Sequence, residues 1–227
     1  MKRALDGVIA RLAEFGGGSI DLLVGEPCFE PPAAVLKAFR NAAGEPVSGY
    51  GPPAGIAELR SVLTEWIGGP ETDPDRLVVT HGAKGGLLAL LASSVEPGDE
   101  VVHPLPCYPA YPVMVRRLGG VPVGVPEPEP DFGGWTEAVA AAMGERTRAI
   151  VLSSPSNPSG SAAATAELAA LVATCRERGV RLILDEAYAA FRFDNGAFDP
   201  GIDRGLDTMV RVGSASKSLA IPGWRMG

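Results

Sequence analysis

Leu5, Val8, Ile9, Leu12 and Phe15 recur at helical spacing, so residues 2–15 predict an amphipathic helix that stops at Gly16-Gly17-Gly18. A short apolar run over 20–24 follows, then a second helix over 33–42. The turn from Tyr50 to Gly55 feeds a third helix, whose apolar face is Leu59, Val62, Leu63, Trp66 and Ile67. Beyond it the pattern changes. Short runs rich in Val, Ile and Leu, bounded by turns, predict buried strands at 77–80, 100–103, 121–125, 149–152, 180–184 and 208–212. Helical segments separate them near 83–95, 109–118, 135–143 and 165–178, the last with Thr165 as N-cap and Gly179 as its stop. Such alternation defines an α/β domain with a mainly parallel sheet flanked by helices. Glu127-Pro128-Glu129-Pro130-Asp131 reads as a stiff exposed connection, not a domain linker.

Composition narrows the picture by exclusion. An apolar share of 46% in 227 residues is ordinary for a soluble globular protein with ample core. The net charge of −7 gives no support to binding nucleic acid or an anionic membrane. Cys28, Cys107 and Cys175 are too few and too scattered for a disulfide framework or a metal cluster, so a reducing cytoplasm is the expected compartment. Met1-Lys2-Arg3 suggests the start of a signal peptide, but Asp6, Arg11 and Glu14 interrupt any apolar core. The longest near-apolar run, 85–95, is too short to cross a bilayer.

In doubly wound sheets ligands sit beyond the carboxyl ends of the strands, so candidate chemistry is sought there. His81-Gly82-Ala83-Lys84-Gly85-Gly86 opens a helix, and its small residues expose backbone N–H groups to an anion. It is neither a Walker A loop nor a G-x-G-x-x-G fingerprint. Later strand ends carry Pro106-Cys107-Tyr108-Pro109, Ser156-Asn157-Pro158-Ser159-Gly160 and Asp185-Glu186-Ala187-Tyr188. The last is followed by Ser214-Ala215-Ser216-Lys217-Ser218, with Arg225 eight residues beyond Lys217. A lysine partly desolvated after a buried strand is a nucleophilic amine suited to a Schiff base, and the hydroxyls and Arg225 suit a phosphate beside it. Taken singly, each segment also reads as an ordinary turn, a packed tyrosine, a structural acid or a polar surface loop.

In this order and over nearly the whole chain, the segments resemble fold-type I pyridoxal-phosphate enzymes, the aspartate aminotransferase-like class I/II group. The resemblance implies pyridoxal 5'-phosphate as cofactor, with Lys217 forming its aldimine and acting as general base and acid. Asp185 would face the ring nitrogen, because a protonated pyridinium is the better electron sink. Tyr188 and Asn157 would meet the phenolic oxygen, with Lys217, Asp185 and Tyr188 as the catalytic set. Tyr108 would stack on the ring, while Gly82, Ala83, Lys84, Ser214, Ser216 and Arg225 would hold the phosphate. Tyr50 would reach the partner subunit's cofactor phosphate. Gly25, in Gly25-Glu26-Pro27-Cys28-Phe29-Glu30-Pro31-Pro32, would lie against the substrate, and Asn157 would help hold its carboxylate; Cys28 departs from the small polar residue often found there. Leu105-Pro106 and Asn157-Pro158 are expected to be cis, Glu186 to point away, and His81 and His103 to be structural.

The implied activity moves an amino group between an L-amino acid and a 2-oxo acid. Related lyases and synthases, an aminotransferase-like effector domain of a transcription regulator, and an inactive fragment are the alternatives. Residues 1–44 are expected to form an N-terminal arm and part of a small domain, and 45–227 the cofactor-binding large domain. No metal is expected, and a homodimer is expected for a full-length protein. In the family an antiparallel strand follows Gly-x-Arg-x-Gly, here Gly223-Trp224-Arg225-Met226-Gly227, and lies between the first and last predicted strands. The chain is therefore expected to be incomplete and unable to transaminate alone, with 77–80 and 208–212 non-adjacent.

Overall fold

The computed structural model describes residues 25–44, 49–68, 73–128, 131–193 and 208–227. The helix expected over 2–15 and the apolar run over 20–24 lie outside these residues. Two helices, α1 (Ala33–Ala43) and α2 (Ala57–Gly68), precede the alternating region. There follow α3 (Gly82–Ala92), β1 (Glu100–Leu105), α4 (Ala110–Arg117), β2 (Val121–Pro126), α5 (Trp135–Ala142) and β3 (Thr147–Ser153). Then come α6 (Thr165–Arg178), β4 (Arg181–Asp185), β5 (Met209–Val212) and the short α7 (Ala215–Ser218).

The strands form one five-stranded sheet in the order β2-β1-β3-β4-β5, every pairing parallel. Side chains alternate across a strand, and both faces are covered, which is why the strands read as continuous apolar runs. Ile150, Leu152, Leu182 and Leu184 pack on one face with Phe132, Trp135, Leu168 and Leu171. Ala149, Val151, Ile183 and Val212 pack on the other with Leu87, Leu91, Tyr111 and Val115. Burying a Leu, Ile or Val side chain of this kind stabilises the fold by about 1.5–3 kcal/mol before entropy is counted. The register places Ser153 beside Asp185 and Asp185 beside Val212, so three strands end level at one rim.

Several expectations are corrected. Residues 77–80 are extended but join no ladder, because a strand needs a hydrogen-bonded neighbour and not only apolar residues. Their partners lie outside the five-stranded sheet: Val79 N–H donates to Ala54 O at 2.9 Å, and Thr80 exchanges hydrogen bonds with Gly227 at 2.6 and 3.1 Å. His81 forms an isolated antiparallel bridge with Met226. Residues 77–80 and β5 are indeed not neighbours in the sheet. Thr165 is the first helical residue of α6; Ala164 takes the N-cap position without a side-chain cap. Gly179 ends α6 as expected, at φ 65°, where a Cβ would be strained. The stripe on α2 is only partly covered by the described residues: Leu59, Leu63 and Ile67 are half-buried, while Val62 and Trp66 are exposed. Glu127 is half-buried and accepts two hydroxyl hydrogen bonds, so it is not merely part of an exposed connection.

Candidate active site

The rim formed by the carboxyl ends of β1, β3, β4 and β5 carries Tyr108, Asn157, Asp185 and Lys217. Asp185 is fixed most firmly. It is 4% exposed; its Oδ2 accepts the Tyr111 hydroxyl at 2.7 Å, and its Oδ1 accepts the Ala187 N–H at 3.0 Å. Burial pushes its carboxyl above the ordinary value, while the Tyr111 hydroxyl and the Ala187 N–H oppose that shift. Tyr111 is itself 1% exposed, and burial together with the Asp185 charge drives its phenol well above the usual range. A buried tyrosine hydroxyl needs a partner, and here the partner is the acid of the site. Tyr111 was not picked out from the sequence. The available signal was a tyrosine three residues after Tyr108, but its partner lies 74 residues away.

Around Lys217 the contacts are looser. Ser214 caps α7, its Oγ accepting the Ser216 N–H at 3.2 Å, and this short turn presents Lys217. Lys217 Nζ donates to Gly25 O and lies 5.8 Å from the centre of the Tyr188 ring. Burial and the nearby Arg225 charge lower the lysine's pKa, partly opposed by Glu26. Tyr188 Oη accepts a long 3.4 Å hydrogen bond from Asn157 Nδ2. A Cβ on Gly25 would stand 2.9 Å from that hydroxyl, so only glycine lets the segment pass here without displacement. Gly25, Asn157, Tyr188 and Lys217 are thus brought together from four separate segments.

A third group gathers over the start of α3. Gly82 has φ +70°, and a Cβ there would lie 2.7 Å from an Arg225 guanidinium nitrogen. The guanidinium therefore rests against the helix N-terminus, where the opening N–H groups favour an anion. Ser216 is buried close by in sequence to Lys217, and Lys84 Nζ sits 5.6 Å from the Tyr108 ring centre. The Tyr108 and Tyr111 rings meet edge-on at 5.6 Å, joining this group to Asp185. Tyr50 is fully exposed and is not brought to the site. Leu105-Pro106 and Asn157-Pro158 are both cis, as expected, and Ser154-Pro155 is cis as well. Glu186 turns away to Arg211 at 2.6 and 3.1 Å, and buried His103 bonds with Pro104 O.

These residues fit pyridoxal 5'-phosphate. Asp185 is a buried carboxylate held by the Tyr111 hydroxyl and the Ala187 N–H, a setting in which a ring-nitrogen cation would offset the cost of burying its charge. Lys217 supplies an amine of lowered pKa, and the Arg225 guanidinium beside the start of α3 supplies a positive charge of the kind a phosphate would need.

The parallel α/β sheet, flanked by helices and carrying this rim, is that of fold-type I pyridoxal-phosphate enzymes. The family described as Aminotransferase class I and II matches residues 18–227, and the chain belongs to that family, whose members depend on pyridoxal phosphate. It is 38% identical to a probable aspartate/prephenate aminotransferase of Thermus aquaticus, over 97% of this chain and 59% of that one. It is 36% identical to the aspartate/prephenate aminotransferase of Thermus thermophilus, over 99% of this chain and 59% of that one. The solved structure of Thermus thermophilus aspartate aminotransferase with maleate superposes with a TM-score of 0.87 at 34% identity, covering 99% of this chain and 59% of the other. The chain thus spans 59% of the length of these relatives.

Proposed function

We propose that this chain serves amino-group transfer between an L-amino acid and a 2-oxo acid, with pyridoxal 5'-phosphate held by the rim residues. The observation that carries this reading is the meeting of Lys217, Tyr188, Asn157 and Gly25 beside a buried Asp185 anchored by Tyr111. Gly82, Ala83, Lys84, Ser214, Ser216 and Arg225 would hold the phosphate, and Tyr108 would lie on the ring. Asp185 would hold a proton on the ring nitrogen; a cation there relieves the cost of burying its charge. Asn157 and Tyr188 would donate to the phenolic oxygen. When bound, the cofactor supplies an electron sink for the pair released from the substrate Cα–H bond. Lys217 Nζ takes that proton and returns it, a role suited by its lowered pKa, which enlarges the neutral fraction near neutral pH.

The relatives named for aspartate and prephenate make these the first substrates to test. Their shared feature is a second carboxylate. We extend the proposal to a cytoplasmic homodimer in which the exposed Tyr50 serves the partner's phosphate. The absence of buried residues from α1 supports reading 1–44 as an arm beside a cofactor-binding domain of 45–227. No helix among the described residues is long and apolar enough to cross a membrane. The test is incubation with pyridoxal 5'-phosphate, borohydride reduction and peptide mapping. An adduct on Lys217 is expected; an adduct on Lys84 instead, or none, overturns the assignment.

A further inference from the structure

Glu127 directly follows β2, and its backbone N–H donates to Leu105 O at 2.8 Å, one residue before the segment that carries Tyr108. Its side chain reaches a different loop. Ser156 Oγ donates to Glu127 Oε2 at 2.8 Å, and Ser159 Oγ donates to Oε1. The two serines bracket Asn157-Pro158, and Ser156 is only 5% exposed. The loop is closed further by Ser156 N–H on Ser161 O at 2.7 Å and Gly160 N–H on Ser156 O at 3.0 Å. One carboxylate thus ties the end of β2, and through its backbone the end of β1, to both sides of the asparagine that meets Tyr188.

We propose that Glu127 is a positioning residue for Asn157. Resting on the cofactor reading above, its carboxylate fixes the direction from which the Asn157 amide meets Tyr188 and the cofactor. The chemistry requires a carboxylate of this length. The two hydroxyls donate to different oxygens of the side chain, and each oxygen of a carboxylate can take a charge-assisted hydrogen bond. Glutamine offers one acceptor oxygen, and aspartate is one methylene shorter. Removing the carboxylate also leaves the buried Ser156 hydroxyl without this acceptor, which favours a rearranged loop.

The experiment compares the chain with Glu127→Ala, Glu127→Gln, Ser156→Ala and Glu127→Ala/Ser156→Ala by two readouts. The first is hydrogen exchange of the peptide covering 154–161, followed without cofactor. Exchange at Ser156 and Gly160 is expected to rise roughly tenfold or more in Glu127→Ala, the scale set by one hydrogen bond to a charged group. Glu127→Gln should lie between, and peptides from β3 and β4 should be unchanged. The second is pyridoxal 5'-phosphate affinity by absorbance titration, expected to fall in the same order of variants. The double variant should be no worse than Glu127→Ala in either readout, because both substitutions break one clamp. Unchanged exchange over 154–161, or additive losses, overturns the proposal. Should Glu127→Ala not fold, Glu127→Gln and Ser156→Ala decide it by the same criteria. Failure of the unsubstituted chain to take up cofactor would count against the function, while the exchange readout still decides the clamp.

Discussion

Tyr111→Phe removes one oxygen from a site where both partners are buried, with almost no change of volume. The lost hydrogen bond is 2.7 Å long, between groups 1% and 4% exposed, so solvent replaces little of it. With Asp185 charged, the bond belongs to the class worth about 1.5–3 kcal/mol; with Asp185 neutral, the worth falls to about 0.5–1.5 kcal/mol. For a chain of this size each kcal/mol moves the melting temperature by about 2–4 °C, so the charged case predicts a loss of about 3–12 °C. The sign of the pH dependence follows from the direction of the Asp185 shift. Burial raises its folded pKa above the unfolded value, so the folded state favours the protonated acid. Stability gained from that preference is present at low pH and lost as pH rises through the folded pKa. Tyr111 opposes the shift by stabilising the charged form, so its removal raises the folded pKa further and deepens the loss at high pH. Urea denaturation of both proteins without cofactor, from neutral pH downward through the titration of the folded-state carboxyl, measures the difference. It should be larger at the upper end and shrink as pH falls. A pH-independent difference, or none, would refute the role of Tyr111 as donor to the Asp185 carboxylate.

Two further outcomes follow from the Lys217 side. Because its pKa is lowered, the rate of cofactor capture should rise with pH and level off below the pH at which an exposed lysine would do so; stopped-flow absorbance checks this, and a midpoint at the ordinary lysine value contradicts it. Gly25→Ala places a Cβ 2.9 Å from Tyr188 Oη, so the hydroxyl must move and the Asn157 contact is lost. Cofactor affinity should fall roughly three- to tenfold, the scale of one neutral hydrogen bond, and the melting temperature should hold because Gly25 is exposed. Unchanged affinity would mean that Gly25 does not shape the site.

The parallel sheet was legible because strands covered on both faces leave an unmistakable apolar trace, as in Ile150-Val151-Leu152 and Leu182-Ile183-Leu184. Asp185 ends such a strand and Lys217 and Asn157 follow others, while the roles expected of them came from the resemblance of their segments to the aminotransferase family. What escaped was pairing. Residues 77–80 have strand-like composition, but whether they join a ladder depends on a neighbour, and composition does not report neighbours. Tyr111 and Glu127 escaped for the same reason. Their partners lie 74 and 29 residues away, and each residue alone resembles ordinary packing or an ordinary charged turn. The α2 stripe shows the converse: Val62 and Trp66 are spaced as a buried face, yet no described residue covers them.

The two sides of the rim are built from different materials, and the difference matches the role proposed for each. Asp185 belongs to the core: Tyr111, Ser153 and Asp185 are each under 5% exposed and lie on or against central strands. Lys217 and Tyr188 are half-buried, Gly25 is exposed, and they meet through segments outside the sheet. A carboxylate whose work is to hold a charge opposite a ring nitrogen gains from a fixed, poorly hydrated setting, where a displaced charge interacts strongly. A lysine that must take a proton from one atom and return it to another needs room to swing. Substitutions on the Asp185 side should therefore register in stability, as Tyr111→Phe is expected to do, and in cofactor binding as well. Substitutions on the Lys217 side should register in cofactor binding alone, as Gly25→Ala is expected to do. Glu127 lies between the two, since it ties an exposed loop to the ends of buried strands. Its effect on exchange should therefore be confined to the loop that carries Asn157, with the fall in cofactor affinity following from that loop.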